Sequence, residues 1–127
     1  MEVNLVAPDK IVFSAKDISM VSVPGIEGNM GIMDKHIPII TFLRPGIIKV
    51  EGKEKNNFFV ISGVIDFKDN KLNILSDSIY ETNKIDSKKL TELKEEAINK
   101  INKNKLNDQD VYLTSTLINE LDNFNFR

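Results

Sequence analysis

Between residue 2 and about residue 75 the apolar positions fall in short runs, often alternating with polar ones and cut by Gly, Pro, Asn or Asp. That rhythm predicts short antiparallel strands, because a period of two sends alternate side chains to opposite faces. Val3 and Leu5 alternate with Glu2 and Asn4, so the first strand buries one face. Pro8 and Asp9 turn the chain into a second strand carrying Ile11 and Phe13. A third, over 17–23, sets Ile18 and Met20 against Val21 and Val23, which predicts a central strand buried on both faces. Residues 39–43 and 47–50 supply the next two, 51–57 is a polar hairpin tip, and 58–61 is a strand by its aromatic and β-branched content. Gly63 interrupts that strand as a bulge or close approach does, and 64–67 continue it. Asp69, Asn70 and Lys71 then turn the chain into 72–75. The fold class expected is mostly β, a flattened antiparallel β-sandwich or barrel of about ten short strands.

The pattern changes period after Tyr80. Asp86 or Ser87 is placed to cap a helix on which Leu90, Leu93, Ala97 and Ile101 recur at helical spacing, with Ile98 beside them. The Asn- and Lys-rich stretch 102–108 breaks it. A second helix, capped by Asn107 or Asp108, lines up Leu113, Leu117, Ile118, Leu121 and Phe124. Neither stripe stays dry alone, so the two helices are expected to fold into an antiparallel hairpin. The organisation expected is a β-sandwich over 1–83 followed by a helical hairpin over 84–127.

The segment 23–46 has the densest punctuation. Gly25, Gly28 and Gly31 recur every third residue and predict a shaped, protruding loop; Pro38 precedes a strand, and Pro45 and Gly46 make a turn in which Gly46 takes a conformation other residues resist. No Gly-Lys-Ser/Thr follows the glycines, so they are loop geometry rather than a phosphate cradle. His36 and Asp34 sit two apart, the spacing at which a general base can be imagined, yet no serine or cysteine nucleophile stands in an elbow motif. With no cysteine and one histidine, neither disulfides nor a zinc centre is expected, and Asp66, Asp69 and Asp77 are too dispersed for a calcium loop. Net charge of -2, with Arg44 and Arg127 the two arginines, argues against a nucleic-acid surface. No apolar run approaches the roughly 20 residues a spanning helix needs, and no basic region precedes an apolar stretch at the amino end, so a cytosolic-side protein meeting membrane only through partners is expected.

Val-Pro-Gly-x-Glu-Gly-x-x-Gly from Val23, followed by His36, Pro38, Thr41, Pro45 and Gly46, resembles the amino-terminal domain of the ATP synthase epsilon subunit. Ala7 to Ser14 resembles that family's first hairpin, and the strands around Val60 to Val64 and Leu75 to Ile79 its later ones. The resemblance implies a non-catalytic rotor subunit of the central stalk, partnered by the gamma subunit and the ring of c subunits, and by the catalytic alpha/beta head if the hairpin extends. It implies a place on the cytoplasmic face of the bacterial inner membrane, or its organellar equivalent. It assigns the c-ring contact to Glu27, Gly28, Asn29 and Met30, and a structural loop to His36. Many relatives are acidic at the Asn29 position, so a contact with less salt dependence than an ionic one is expected here.

Many bacterial relatives carry Ile-Asp-x-x-Arg-Ala at the helix start and bind ATP with it. Here Ile85 and Asp86 match, but Lys89 replaces the arginine and Leu90 the alanine, so the planar two-pronged donor is lost and the position crowded. A plain capped helix and no cofactor are expected. Residues 87–106 carry six lysines against three glutamates, and 107–127 carry four carboxylates against Arg127, or +3 facing -3. Those charges favour a folded hairpin and weak inhibition of ATP hydrolysis. The competing class is a free-standing β-sandwich that binds a small ligand or another protein.

Overall fold

The computed structural model describes residues 1–103 and 108–122. Ten strands come first: β1 (Glu2–Ala7), β2 (Lys10–Ala15), β3 (Met20–Gly25), β4 (Gly28–Met33), β5 (Ile39–Leu43), β6 (Gly46–Glu51), β7 (Lys55–Val60), β8 (Gly63–Lys68), β9 (Lys71–Leu75) and β10 (Ile79–Glu81). A 3-10 turn over Thr82–Lys84 leads to α1 (Ser87–Lys103) and α2 (Asp108–Asp122). The chain divides into two compact units, Met1–Glu81 and Thr82–Arg127.

The strands form one hydrogen-bonded path, β10-β7-β6-β3-β5-β8-β9-β1-β2, with β4 paired to β3 off that path. It bends into a nearly closed sandwich at a thin point: β3 meets β5 through the single pair Gly25↔Leu43. Near the far ends of the path, Phe13 of β2 meets Phe58 of β7 with ring centroids 5.4 Å apart. Val3, Leu5, Val21, Ile48, Phe58, Ile65, Leu72 and Ile74 fill the interior, each essentially inaccessible to water. One pairing departs from the antiparallel expectation. β1 runs parallel to β9, from Glu2↔Lys71 to Val6↔Leu75, because the first strand slots between β2 and β9.

Several boundaries move, each for a local reason. The third strand begins at Met20 rather than residue 17, because Asp17 sits at φ 60, and Met20 is only half-buried, so burial on both faces does not hold there. Residues 58–67 are two strands in different layers rather than one bulged strand, with the chain turning the corner at Ile61 and Ser62. Ile11 faces out, since the β1–β2 register slips between Leu5 and Val6 and pairs Val6 with Ile11. The expected protruding loop is a tight hairpin: β3 and β4 pair from Met20↔Met33 to Gly25↔Gly28, leaving Ile26 and Glu27 as the turn. Neither turn residue has positive φ, and Gly28 at φ 140 reconciles the turn with the twist of its strands. Gly31 and Gly46 are ordinary strand residues; Gly46 is small because Pro24 leaves no space for a Cβ.

The end of the sandwich away from that turn is closed by polar bonds. The Met1 ammonium donates to the Ile18 carbonyl at 3.1 Å and to Asp34 Oδ1 at 2.8 Å, Asn70 Nδ2 donates to the same carboxylate, and the Lys35 amide donates to Asn70 Oδ1. The ammonium's hydrogen bond, then that of Asn70, holds the Asp34 carboxyl below its ordinary value of 3.8.

In the second unit Asp86 caps α1, accepting the Lys89 backbone N-H at 2.8 Å. Leu90, Leu93 and Ala97 are buried on α1, and Leu117 and Leu121 on α2, but Ile98 is exposed and the buried Thr114 joins the α2 stripe. Lys94, in mid-α1, meets Asp122, the last residue of α2, at 3.1 Å, which an antiparallel pair allows and a parallel one does not. The side chains of Ile101 and Leu113, and all of Phe124, lie outside the described residues.

Two stability tests follow from these contacts. A Cβ at Gly63 would stand 2.6 Å from the Leu75 carbonyl oxygen, whereas at Gly31 the nearest atom is the Met20 sulfur at 3.7 Å. Gly63→Ala should therefore lose about 1–3 kcal/mol in denaturant titration, and Gly31→Ala should change by no more than about 0.5 kcal/mol. Equal effects would refute the close approach. For Asp34, a folded-state pKa below the unfolded one means stability that is present above 3.8 and lost as pH falls through the folded value. Wild type should outlast Asp34→Asn at neutral pH, and the gap in melting temperature should close below about pH 4. A gap unchanged at acid pH would show that the carboxylate charge is not what matters.

Candidate partner-docking site

Residues along a strand alternate between core and surface, so the pairing register determines which side chains form rows on the outer face. One such row is apolar throughout: Phe42 of β5 pairs with Val64 of β8, Val64 with Leu75 of β9, Leu75 with Val6 of β1, and Val6 with Ile11 of β2. Phe42 is 60% exposed, Leu75 50% and Ile11 67%. Five strands at a spacing of about 4.8 Å make the row about 19 Å long. Ile40, two residues before Phe42 on the same face, is 73% exposed. The row beyond turns polar, with Ile40 paired to Asp66, Asp66 to Asn73, Asn73 to Asn4 and Asn4 to Ser14. There Asn4 donates to Asn73 at 3.1 Å and accepts from the Ser14 hydroxyl at 2.7 Å.

A recess of 490 Å³ adjoins the apolar row, lined by Val6, Ala7, Pro8, Gly63, Leu75, Ser76 and Asp77. Its hydroxyl is already engaged: Ser76 Oγ donates to the Ser62 carbonyl and accepts the Ser78 N-H at 3.0 Å.

The β3–β4 turn lies at the same end as this row and is strapped to it. The Ile26 N-H donates to the Phe42 carbonyl at 2.9 Å, and the Arg44 N-H to the Pro24 carbonyl at 2.9 Å. The Arg44 guanidinium reaches across, Nη2 donating to Asn29 Oδ1 and Nη1 to the Pro45 carbonyl at 3.4 Å.

The residues singled out from the sequence therefore separate. Gly25, Glu27, Gly28, Asn29, Pro45 and Gly46 gather at the turn end. Met30 does not point outward with Asn29, because strand alternation packs it against the core. His36 and Pro38 lie at the opposite end, in the β4–β5 connection. The His36 ring stands edge-on to Phe67 at 5.9 Å, with Nδ1 2.6 Å from the Ile37 carbonyl, while Asp34 is engaged by Met1 and Asn70. Ile85, Asp86 and Lys89 belong to the second unit, where the Asp86 carboxylate is occupied as the cap. The apolar row and Arg44 were missed by sequence reasoning. The one available signal was the alternation Ile40, Phe42 after Pro38, which puts two large apolar side chains on the face opposite the buried Leu43. No helix of the described residues is long and apolar enough to cross a membrane.

Comparison with known proteins gives a consistent result. Residues 1–82 match the family model described as ATP synthase, Delta/Epsilon chain, beta-sandwich domain. The ATP synthase epsilon chain of Pelagibacter ubique is 38% identical over 125 residues, covering 98% of this chain and 96% of the relative. That of Aquifex aeolicus is 36% identical over 102 residues, covering 80% and 76%. Among solved structures, a chain of the Euglena gracilis mitochondrial ATP synthase (OSCP/F1/c-ring) superposes with a TM-score of 0.74 at 21% identity, covering 95% of this chain and 78% of that one. A chain of the Tetrahymena thermophila mitochondrial ATP synthase central stalk and c-ring gives 0.73 at 16% identity, covering 97% and 94%. At those identities the superpositions bear on fold.

Proposed function

This chain belongs to the ATP synthase delta/epsilon chain family, and we propose that its sandwich joins the gamma subunit to the ring of c subunits, so that rotation driven by ion flow reaches the catalytic head. In this reading the chain is a non-catalytic subunit of the central stalk, peripheral to the membrane and held there by its partners. The observation that carries the reading is the outer apolar row. A face this apolar, about 19 Å long, is suited to being covered by a partner, and its polar neighbour row marks where that contact stops. The row takes gamma, and the β3–β4 turn takes the ring through Ile26, Glu27 and Asn29.

The coupling role asks the two surfaces to move as one body. They are adjacent in the chain and hydrogen-bonded to each other, so torque applied at the turn passes into β5 without crossing a flexible segment. The second unit is proposed to regulate ATP hydrolysis weakly, staying folded through its stripes and the Lys94–Asp122 pair.

Cysteines introduced at Phe42 and Leu75 should cross-link to gamma in assembled membranes, and cysteines at Glu27 and Asn29 to a c subunit. A control at Lys53, on the distant β6–β7 turn, should give neither product. Cross-linking from Lys53 with none from the other sites would move both interfaces. For the second unit, calorimetry should find ATP binding no tighter than roughly millimolar, about -4 kcal/mol, strengthened by Lys89→Arg with Leu90→Ala. Truncation after Asp86 should raise ATPase activity less than severalfold. Micromolar ATP affinity, or a rise of tenfold or more, would overturn that account of the hairpin.

A further inference from the structure

Arg44 is a cation whose anchors are neutral. Its guanidinium is held by the side-chain oxygen of Asn29 and the carbonyl of Pro45, and its own N-H is fixed to Pro24, so the group is placed from two sides. An amide orients a guanidinium without cancelling its charge. The ion pairs Met1–Asp34, Lys71–Glu2 and Lys94–Asp122 do not involve Arg44. Two of its five N-H donors are accounted for, which leaves a planar fork at the end of the sandwich that carries the turn.

We propose that Arg44, oriented by Asn29, is the specificity-determining charge of this end and takes a carboxylate of the subunit that faces the β3–β4 turn. The inference rests on the reading of this end as the ring-facing one. A carboxylate matches the guanidinium fork in plane and spacing, and a preorganised arginine loses less freedom on pairing than a lysine does. Exposed Glu27, at the turn itself, disfavours an anionic headgroup surface spread over the whole end while leaving room for one carboxylate at Arg44. The contact is then salt-dependent although Asn29 carries no charge.

The test is rebinding of the purified chain to ATP synthase stripped of it, followed across roughly 50 to 500 mM salt. Arg44→Gln should bind roughly tenfold more weakly at low salt and lose most of the salt dependence. Arg44→Lys should keep the salt dependence with reduced affinity. Asn29→Asp decides between a contact and a brace: an added carboxylate neutralises Arg44, so it should weaken rebinding if Arg44 reads the partner. If Arg44 only braces the turn, the same change strengthens the brace and leaves binding equal or tighter, which overturns the proposal. Melting temperatures of the three variants close to wild type show that folding is not the cause. Loss of binding to phosphatidylglycerol vesicles in Arg44→Gln, with rebinding unchanged, would replace the carboxylate by a lipid phosphate and also overturn it. Cross-linking from Glu27 that persists while the Arg44 variants stay silent defeats this inference alone; absence of all turn cross-links defeats the ring-facing reading with it.

Discussion

The sandwich depends on the single strand pair through which its two layers join. Gly25, Leu43 and Gly63 lie side by side on β3, β5 and β8, and the Gly25↔Leu43 pair is the strand pairing that joins the two layers. Each neighbour of Leu43 is a glycine, and each glycine is required by the backbone on its other side, not by Leu43. A Cβ on Gly25 would stand 2.7 Å from the Gly28 carbonyl oxygen, and one on Gly63 2.6 Å from that of Leu75. These are backbone atoms, which cannot swing aside as a side-chain tip does. The crossing brings the inner faces together, buries Leu43 and completes the core that runs from Val3 to Ile74.

The same crossing decides what the surface presents. Because Leu43 points inward at the junction, Phe42 beside it must point outward, and the register carries that choice along β8, β9, β1 and β2. The apolar outer row is therefore a by-product of neither composition nor chance. A slip of one residue in any pairing would exchange it with the core. The bulge between Leu5 and Val6 keeps the row going onto β2 by bringing Ile11, rather than Val12, opposite Val6.

Strand alternation and turn chemistry made most of the elements legible, and β5, β6 and β9 fall where the pattern put them. Asp69 and Asn70, at φ 52 and 58, do what that residue pair does in a two-residue hairpin. What stayed hidden was pairing between strands distant in sequence. The parallel β1–β9 contact and the corner at Ile61 have no local signature, since Gly63 signals a close approach without naming the backbone approached. The glycine repeat misled for a related reason: Gly25, Gly28 and Gly31 look alike in sequence, yet Gly25 is closed in by the Gly28 carbonyl across the turn, Gly28 takes the positive φ, and a Cβ on Gly31 would meet the Met20 sulfur at an ordinary 3.7 Å. For the proposed docking end, the resemblance pointed to the turn but not to the outward face of β5, and Met30 was placed outside because residues 28–30 were read as loop.

Against the competing picture of a free-standing ligand-binding sandwich stands the chemistry of the recess. A small-molecule site sets a few converging polar groups in an apolar wall, and those groups give orientation. Here the Ser76 hydroxyl is used up within the chain, donating to Ser62 and accepting from Ser78, and Asp77 accepts from the Ser78 hydroxyl at 2.9 Å. Apart from the Asp77 carboxylate, what remains is apolar and continuous, through Val6 and Leu75, with a surface already exposed over five strands. Such a shape suits a side chain projecting from a partner laid along the row, where the partner's backbone fixes the orientation that the recess does not. In the proposed reading the wall and the row form one interface, and a load on Phe42 enters β5 next to the single pair, Gly25↔Leu43, that joins the two layers.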